Sequence, residues 1–439
     1  MPMGASTYVA CFLVLAVLVS GNMKMWHITD VHYDWAYRTG GDIGKECHDK
    51  ASNASQGAAR IGEYRCDSSA VLVESAFNQM KAILPDPDFI IWTGDDPPHV
   101  KASELNTELV LEDMQNITNL VKSTFPSTPV YPILGNHDSF PPHQIEVGPN
   151  ALLKATGKMW AHWLSDDAME TFLKGGYYTA LIKPGLRLIA LNTVYYYKLD
   201  LTTLIHPLDP AGQFDWLKST LTAAKNNNER VIIAAHVPPG FCEKEVSAKN
   251  KNNNFHALFN DAYLRAFAGF GDTIVAHIYG HEHTDAIRLY QDEPNGENTG
   301  MMLLSPSVTP WYNPSYEKNM PANNPSLRWY EVMDSAPFNI LGYEQWFTNL
   351  TADNANDTIE WEVEYTPQSA YGLTDLSLKS IINFAEDVLR KQDSIFQQYV
   401  FYNSVSYPQP DCEGGCRATQ LCSLQYAWLE PYKQCMTAA

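Results

Sequence analysis

Apolar and polar positions alternate regularly from Lys24 to about Thr309. Short apolar runs recur at Lys24 to Thr29 (KMWHIT), Asp88 to Thr93 (DFIIWT), Val130 to Leu134 (VYPIL), Arg187 to Thr193 (RLIALNT), Arg230 to Ala235 (RVIIAA), Thr273 to Tyr279 (TIVAHIY) and Met301 to Leu304 (MMLL). They are β-branched or aromatic-rich and of strand length, as expected of strands covered on both faces. Between them lie helical patterns over Ala70 to Leu84, Ser103 to Lys122, Asn150 to Leu164, Gly212 to Lys225 and Phe255 to Phe267. Strand–helix alternation predicts an α/β architecture with mostly parallel pairing.

The pattern changes after Pro310. Dense proline and asparagine through Pro325 predict a surface loop. Tyr343 to Phe347 and Trp361 to Tyr365 predict late strands, the second alternating as WEVEY and so suited to an edge or antiparallel position. Leu376 to Asn403 predicts a helix, and a Cys-rich tail follows. The stretches Asn226 to Asn228 and Asn250 to Asn254 predict loops.

At the N-terminus, Val9 to Ser20 form a 12-residue apolar run, too short to span a bilayer but sized for the apolar part of an export signal. The small residues Val19-Ser20-Gly21 suit a peptidase, so residues 1–21 are expected to be a signal peptide. A buried strand or helix is the rival reading. Sequons at Asn53, Asn116, Asn349 and Asn356 agree with export as candidate glycosylation sites. Of eight cysteines, Cys11 falls in the leader, and four of the remaining seven crowd the tail. That density suggests a disulfide framework in an oxidising compartment. A zinc knuckle would need C-x2-C halves that the tail lacks.

Charge narrows the functional classes. With 50 acidic against 30 basic side chains, the formal net charge is −20. A nucleic-acid groove needs Lys and Arg against phosphates, so that class is excluded, as is an anionic membrane surface. No apolar tail follows Cys435, so neither a lipid anchor nor a second membrane segment is expected. The expected product is a soluble monomer, secreted, with a lysosomal pool left open.

Five polar segments each follow a predicted strand: Asp30-Val31-His32, Gly94-Asp95, Gly135-Asn136-His137-Asp138, His236 and Gly280-His281-Glu282-His283. In an α/β sheet the carboxyl ends of strands share one crevice, where residues distant in sequence converge. Each segment alone is weak; five in order are not. Asp30, His32, Asp95, Asn136, His236, His281 and His283 offer nitrogen and hard oxygen ligands together, which suits Zn²⁺, Mn²⁺ or Fe²⁺ rather than Ca²⁺. Seven ligands exceed one tetrahedral site and match two sites sharing a carboxylate.

This order of motifs resembles the calcineurin-like metallophosphoesterases, and more closely the acid sphingomyelinase-like phosphodiesterases. The stretches that carry the narrower likeness are WTGDDPPHV (Trp92 to Val100), PILGNHDS (Pro132 to Ser139), AHVPPG (Ala235 to Gly240) and YGHEHTD (Tyr279 to Asp285), with the Cys-rich tail. The resemblance runs from about Met25 through that tail. It implies a four-layer α/β sandwich, two mixed sheets flanked by helices, with a C-terminal helical subdomain containing disulfides. The expected division is a catalytic domain over 22–335 and a C-terminal subdomain over 336–439, packed on it.

By resemblance, one metal takes Asp30, His32, Asp95 and His283, and the other takes Asp95, Asn136, His236 and His281. Two Zn²⁺ are expected, with a metal-activated hydroxide attacking phosphorus. His99 and His137 would be the phosphate-side pair, assisting departure of the leaving group. The likeness also implies disulfides Cys47–Cys66, Cys412–Cys416 and Cys422–Cys435, leaving Cys242 outside. Pro98 stands where purple acid phosphatases carry tyrosine, and GDDPPHV lacks the phosphoprotein phosphatase G-D-x-x-D-R-G. No saposin-like domain is expected before Asp30.

The implied function is hydrolysis of soluble phosphodiesters and phosphoanhydrides such as ATP, CDP-choline or cyclic dinucleotides. A sphingomyelin phosphodiesterase and a non-catalytic extracellular nucleotide-binding protein are the alternatives. Substrate-binding residues are not legible. His27, His162, His206, His256 and His277 match no motif and are expected to be structural or exposed, with His277 near enough to Tyr279 to sit behind the ligands. Tyr195, Tyr196 and Tyr197 read as core at a strand end, with substrate stacking as the lesser reading, and Phe241 as a long-odds base-stacking candidate.

Overall fold

The computed structural model describes residues 21–53, 56–205, 208–244, 253–294, 296–313 and 321–438. The expected leader, His206 and the middle of the Pro310 to Pro325 stretch lie outside the described residues. Cys47–Cys66, Cys412–Cys416 and Cys422–Cys435 are bonded as expected, and Cys242 is buried outside these bonds.

The apolar runs become strands of two six-stranded sheets. The first sheet has the order β12-β11-β10-β1-β2-β3, with β1 (Met23–Ile28), β2 (Phe89–Trp92), β3 (Val130–Pro132), β10 (Ser326–Val332), β11 (Ile340–Thr348) and β12 (Trp361–Tyr365). The second has the order β4-β5-β6-β7-β9-β8, with β4 (Tyr178–Lys183), β5 (Leu186–Leu191), β6 (Arg230–Ala235), β7 (Ile274–Tyr279), β8 (Ala286–Gln291) and β9 (Asn298–Leu304). One apolar core, with Trp26 and Trp92 fully buried in it, joins the sheets.

Up to β9 the pairing is mostly parallel as expected, β1–β2–β3 and β5–β6–β7–β9, with β4 and β8 joining antiparallel; β10, β11 and β12 add further antiparallel pairs, so both sheets are mixed as the resemblance implied. Three of those antiparallel strands, β4, β8 and β10, carry no continuous apolar run. β12 is the expected edge strand.

Helices α1 (Ala70–Ile83), α2 (Thr107–Thr124), α3 (Ala151–Trp160) and α4 (Asp166–Gly175) begin where Ser69, Asn106, Asn150 and Ser165 accept a backbone N–H three residues on. Such a cap satisfies one otherwise orphaned donor of the first turn. Two further helices, α5 (Gln213–Asn226) and α6 (Ala257–Ala266), lead into β6 and β7. Short helices α7 (Leu350–Asn356) and α8 (Pro367–Tyr371) flank β12.

The long helix expected over Leu376 to Asn403 is broken. It divides into α9 (Leu378–Asn383), a π-turn over Phe384–Leu389, and α10 (Asp393–Asn403), with Gln392 extended between them. A straight helix of that length would run about 40 Å. The break instead turns Ile381, Phe384, Leu389, Phe396 and Val400 into one core.

The tail forms α11 (Gly415–Gln425) and α12 (Leu429–Ala438), joined by Cys422–Cys435. Trp428 donates its indole N–H to the Gln291 carbonyl at 2.8 Å, and Tyr432 stacks on Phe241 with ring centres 3.7 Å apart. Phe241 is thereby enclosed, which corrects its reading as a base-stacking group. The expected surface loop is also corrected at its described flanks: Asn323 and Asn324 are buried, their amides donating to the His283 and Val405 carbonyls.

Candidate metal centre

The five polar segments lie on loops after β1, β2, β3, β6 and β7, and they meet at one point. The chain cannot reach it in relaxed backbone. Asp30, His32, Asp95, His281 and His283 all have positive φ, between 42° and 75°. A non-glycine residue in the left-handed region costs on the order of 1 kcal/mol or more, and such residues cluster where function over-determines the fold. Glycines make the close approaches possible. Gly94 has φ +84°, and a Cβ there would lie 2.3 Å from the Gly135 nitrogen. A Cβ on Gly280 would lie 2.0 Å from Thr29 Oγ1 and 2.5 Å from Asp30 Oδ2.

Asp138 ties two of the loops together. Its carboxylate accepts from the backbone of Gly135 (2.6 Å), Asp95 (3.1 Å) and Asp96 (3.0 Å). Asp95 is fixed in turn by the His137 N–H on Oδ1 at 2.7 Å, leaving Oδ2 facing His236 Nε2 at 3.1 Å and His32 Nε2 at 3.5 Å. Asp30 Oδ1 lies 3.3 Å from His283 Nε2 and 3.7 Å from His32 Nε2. Asn136 Oδ1 lies 3.1 Å from His236 Nε2. Ligand atoms of Asp95, His236 and His281 form one cluster within 4.8 Å, and those of Asp30, His32 and Asp95 another.

The imidazoles are oriented from behind. His32 Nδ1 is 2.7 Å from the Pro97 carbonyl and His236 Nδ1 is 2.7 Å from the Thr93 carbonyl. A proton on each Nδ1 turns the Nε2 lone pair to the cleft, the usual support of a metal-binding histidine. His32 Nε2 is buried and has no hydrogen-bond partner. Ligands about 2.0–2.1 Å from a tetrahedral zinc sit about 3.4 Å from one another. The separations of 3.1–3.7 Å among these atoms therefore fit a donor set for metal.

Charge is concentrated here. Burial alone would raise both carboxyls, but His236 and neighbouring imidazoles hold Asp30 and Asp95 well below the usual range. Burial opposes protonation of His32 and His236, yet the facing carboxylates push both up to about 9. Without metal, protons occupy the positions that cations would take. His281 is half-buried, and desolvation holds it well below its ordinary value.

His99 and His137 border the ligands, their ring centres 4.2 Å apart and 3.9 Å and 5.2 Å from that of His32. Burial pushes both well below 6.5. Sequence reasoning missed how His99 is held. Asp67 accepts its Nδ1–H at 3.1 Å and its backbone N–H at 2.5 Å, while Thr309 donates to Asp67 at 2.9 Å. Trp311 lies flat on the imidazole at 3.9 Å. Asp67 follows disulfide-bonded Cys66 in an irregular segment, so no periodicity marked it. His143 was also missed, its ring 4.8 Å from that of His137, while Tyr197, read as core, is buried with its ring 4.8 Å from that of His281.

The remaining candidates sort plainly. His27 is buried at 2.9 Å from Thr93 Oγ1, and Thr93 donates to Thr29, which donates to Asp30. His277 faces the Tyr279 and Tyr290 hydroxyls inside the sheet rather than the ligands. Asn53, Asn116, Asn349 and Asn356 are all exposed. Behind the centre, the buried Arg288 pairs with Glu243 and Glu282, and the buried Arg328 pairs with Asp285. Glu282 stands between His281 and His283, so Arg288 anchors that loop.

Comparison with known proteins agrees with this geometry. Residues 23–285 match the calcineurin-like phosphoesterase family, and residues 298–439 match the acid sphingomyelin phosphodiesterase C-terminal region. Sphingomyelinase phosphodiesterase C of Dictyostelium discoideum is 46% identical over 94% of this chain and 93% of its own length. Acid sphingomyelinase-like phosphodiesterase 3b of Homo sapiens is 36% identical over 95% and 90%. Cyclic GMP-AMP phosphodiesterase SMPDL3A of Homo sapiens is 34% identical over 94% and 90%. With its ligand-type residues gathered at the strand ends and nearly all of its length matched, the chain is a metal-dependent phosphodiesterase of the calcineurin-like phosphoesterase family, in the acid sphingomyelinase-like branch.

Proposed function

We propose that the protein is a secreted phosphodiesterase acting on small soluble phosphodiesters and phosphoanhydrides, of the nucleotide kind, at a pair of zinc ions. The observation that carries this reading is Asp95, whose Oδ2 faces both His236 and His32 while the His137 N–H holds Oδ1. A relative named for cyclic GMP-AMP hydrolysis supports the nucleotide class. Three disulfides and four exposed sequon asparagines support export. Among the described residues no helix is long and apolar enough to cross a membrane.

Asp30, His32, Asp95 and His283 would hold one ion, and Asp95, Asn136, His236 and His281 the other. When bound, such a pair supplies Lewis-acid polarisation of a phosphoryl oxygen and makes water acidic enough to ionise near neutral pH. The chain's own residues orient and neutralise. His99 and His137 border the ligand cluster, and one of them would hand the leaving oxygen a proton as the P–O bond breaks. Burial disfavours a proton on either imidazole, and the negative phosphate restores it on arrival.

Purified zinc-loaded protein should hydrolyse ATP much faster than sphingomyelin vesicles at mildly acidic pH, and Asp95→Asn should abolish both activities. The reverse substrate ratio would overturn the soluble-substrate reading, and full activity in the variant would overturn the shared-carboxylate assignment.

Metal uptake should release protons. His32 and His236 keep theirs up to about pH 9 in the metal-free protein and must lose them to bind metal, so affinity rises with pH. Titrating Zn²⁺ into chelator-stripped protein at pH 7.5 should release about two protons per chain, read with an indicator dye in weak buffer. Release of fewer than about one would contradict the assignment.

Asp67→Asn should lower kcat by about 10–100-fold with KM little changed and shift the pH profile, because the amide no longer selects the His99 tautomer. Asp67→Glu should recover part of the loss. A variant with unaltered kcat and pH profile would make Asp67 merely structural.

A further inference from the structure

His27 is a buried imidazole with no place among the ligand candidates, yet it ends a chain of hydrogen bonds that leads to one of them. His27 and Thr29 are two residues apart where β1 runs out, so they share one face of the strand. Thr93 follows the neighbouring parallel strand β2, its N–H on the Ile28 carbonyl at 2.9 Å. All three side chains are buried, and they connect in line. His27 Nε2 lies 2.9 Å from Thr93 Oγ1, Thr93 donates to Thr29 at 2.6 Å, and Thr29 donates to Asp30 Oδ2 at 2.5 Å. Gly280 closes over the chain, since a Cβ there would fall 2.0 Å from Thr29 Oγ1 and 3.1 Å from Thr93 Oγ1.

The direction of each bond is fixed from the carboxylate end. A carboxylate that serves a cation is ionised and only accepts, so Thr29 must donate to it. A hydroxyl has one proton, so Thr29 accepts from Thr93, and Thr93, its own proton committed, accepts from His27. The His27 ring is neutral, because burial and the Arg328 guanidinium lower it to about 3. Its one proton therefore sits on Nε2. Nδ1 is then a bare acceptor, and it is buried with no hydrogen-bond partner. An apolar side chain would fill this place without stranding a lone pair, so packing alone does not call for histidine.

The relay also sorts the two Asp30 oxygens. Oδ2 accepts from Thr29 and takes the nearer share of the His281 N–H, 3.0 Å against 3.2 Å for Oδ1. Oδ1 faces His283 Nε2 and His32 Nε2 instead. We propose that His27 is a positioning residue for the cation held by Asp30, His32, Asp95 and His283: through Thr93 and Thr29 it turns Asp30 so that Oδ1 alone is offered to that cation. Hydrogen bonds in series strengthen one another, which stiffens the arrangement. A carboxylate that ligates through one oxygen also leaves room at its cation for a substrate oxygen. This role rests on the two-zinc reading, but the relay itself exists without metal and is measurable without it.

Two-bond proton–nitrogen spectra of the metal-free wild type, with isotope-labelled histidine, read the relay directly. His27, assigned by the signals lost in His27→Gln, should show the neutral tautomer protonated on Nε2. A ring protonated on Nδ1, or a charged ring, would overturn the proposal. Competition of the full-length protein with a chromophoric zinc chelator reads the consequence for metal. His27→Leu and Thr29→Val should each weaken one of the two zinc sites by about 10–100-fold and leave the other near wild type. Thr29→Ser, which keeps the hydroxyl, should hold wild-type affinity. Unaltered affinity at both sites in His27→Leu would overturn the proposal, and so would equal weakening of both, the mark of a merely structural role. The tautomer is measured on the wild type, so it decides even if a variant does not fold. A wild type that holds a single zinc would strike the two-zinc reading and leave the tautomer result standing.

Discussion

The position of one carboxylate governs this molecule. Asp95 follows β2 in the first sheet, and its outer oxygen faces His236, which follows β6 in the second. The two sheets must therefore hold a fixed relation at their strand ends, or the cluster falls apart. Asp138 fixes the Gly94 and Gly135 loops to each other, and the Thr93 carbonyl fixes His236 across the sheets. The left-handed backbone at Asp30, His32, Asp95, His281 and His283 is the conformational consequence of bringing five loops to one point.

Burial of so much charge needs compensation from the rest of the chain. Arg288 rises from β8 to meet Glu282 of the ligand loop and Glu243 of the loop after β6. Arg328 rises from β10 to meet Asp285, and its guanidinium lies 3.9 Å from the Tyr343 ring centre. Asn403 at the end of α10 donates to Glu243 and to the Asp285 carbonyl. Losing one partner of a buried pair is destabilising by about 3–5 kcal/mol, because the other charge is stranded. The C-terminal region thus serves the centre directly: Arg328 of β10, Tyr365 of β12, which donates to Asp285, and Asn403 of α10 neutralise and brace the loop carrying His281 and His283.

The same arginines explain what was hidden in the sequence. β1, β2, β5, β6 and β7 are continuous apolar runs, so their existence and the ligands at their ends were legible. β8 reads AIRLYQ and β10 reads SLRWYEV, each interrupted by an arginine that pairs only in three dimensions. β4 is half-exposed, and its pattern YTALIK resembles a loop approach. α4 has few apolar residues, but their one-sided spacing, a Ser165 cap, acidic residues in its first turn and Gly176 at its end are signals that could have found it. The ligand types were legible because chemistry restricts them to a few residues at strand ends. Asp67, Trp311 and His143 were not, because positioning depends on irregular segments whose convergence no local pattern encodes.

The most direct test of the account is the metal content of the protein after chelator stripping, zinc reloading and exhaustive dialysis. Two ions per chain in the wild type, falling below one in Asp95→Asn, is the predicted result, because one carboxylate serves both positions. A wild type that holds a single ion, or an Asp95→Asn variant that keeps two, would contradict a centre built on a shared Asp95.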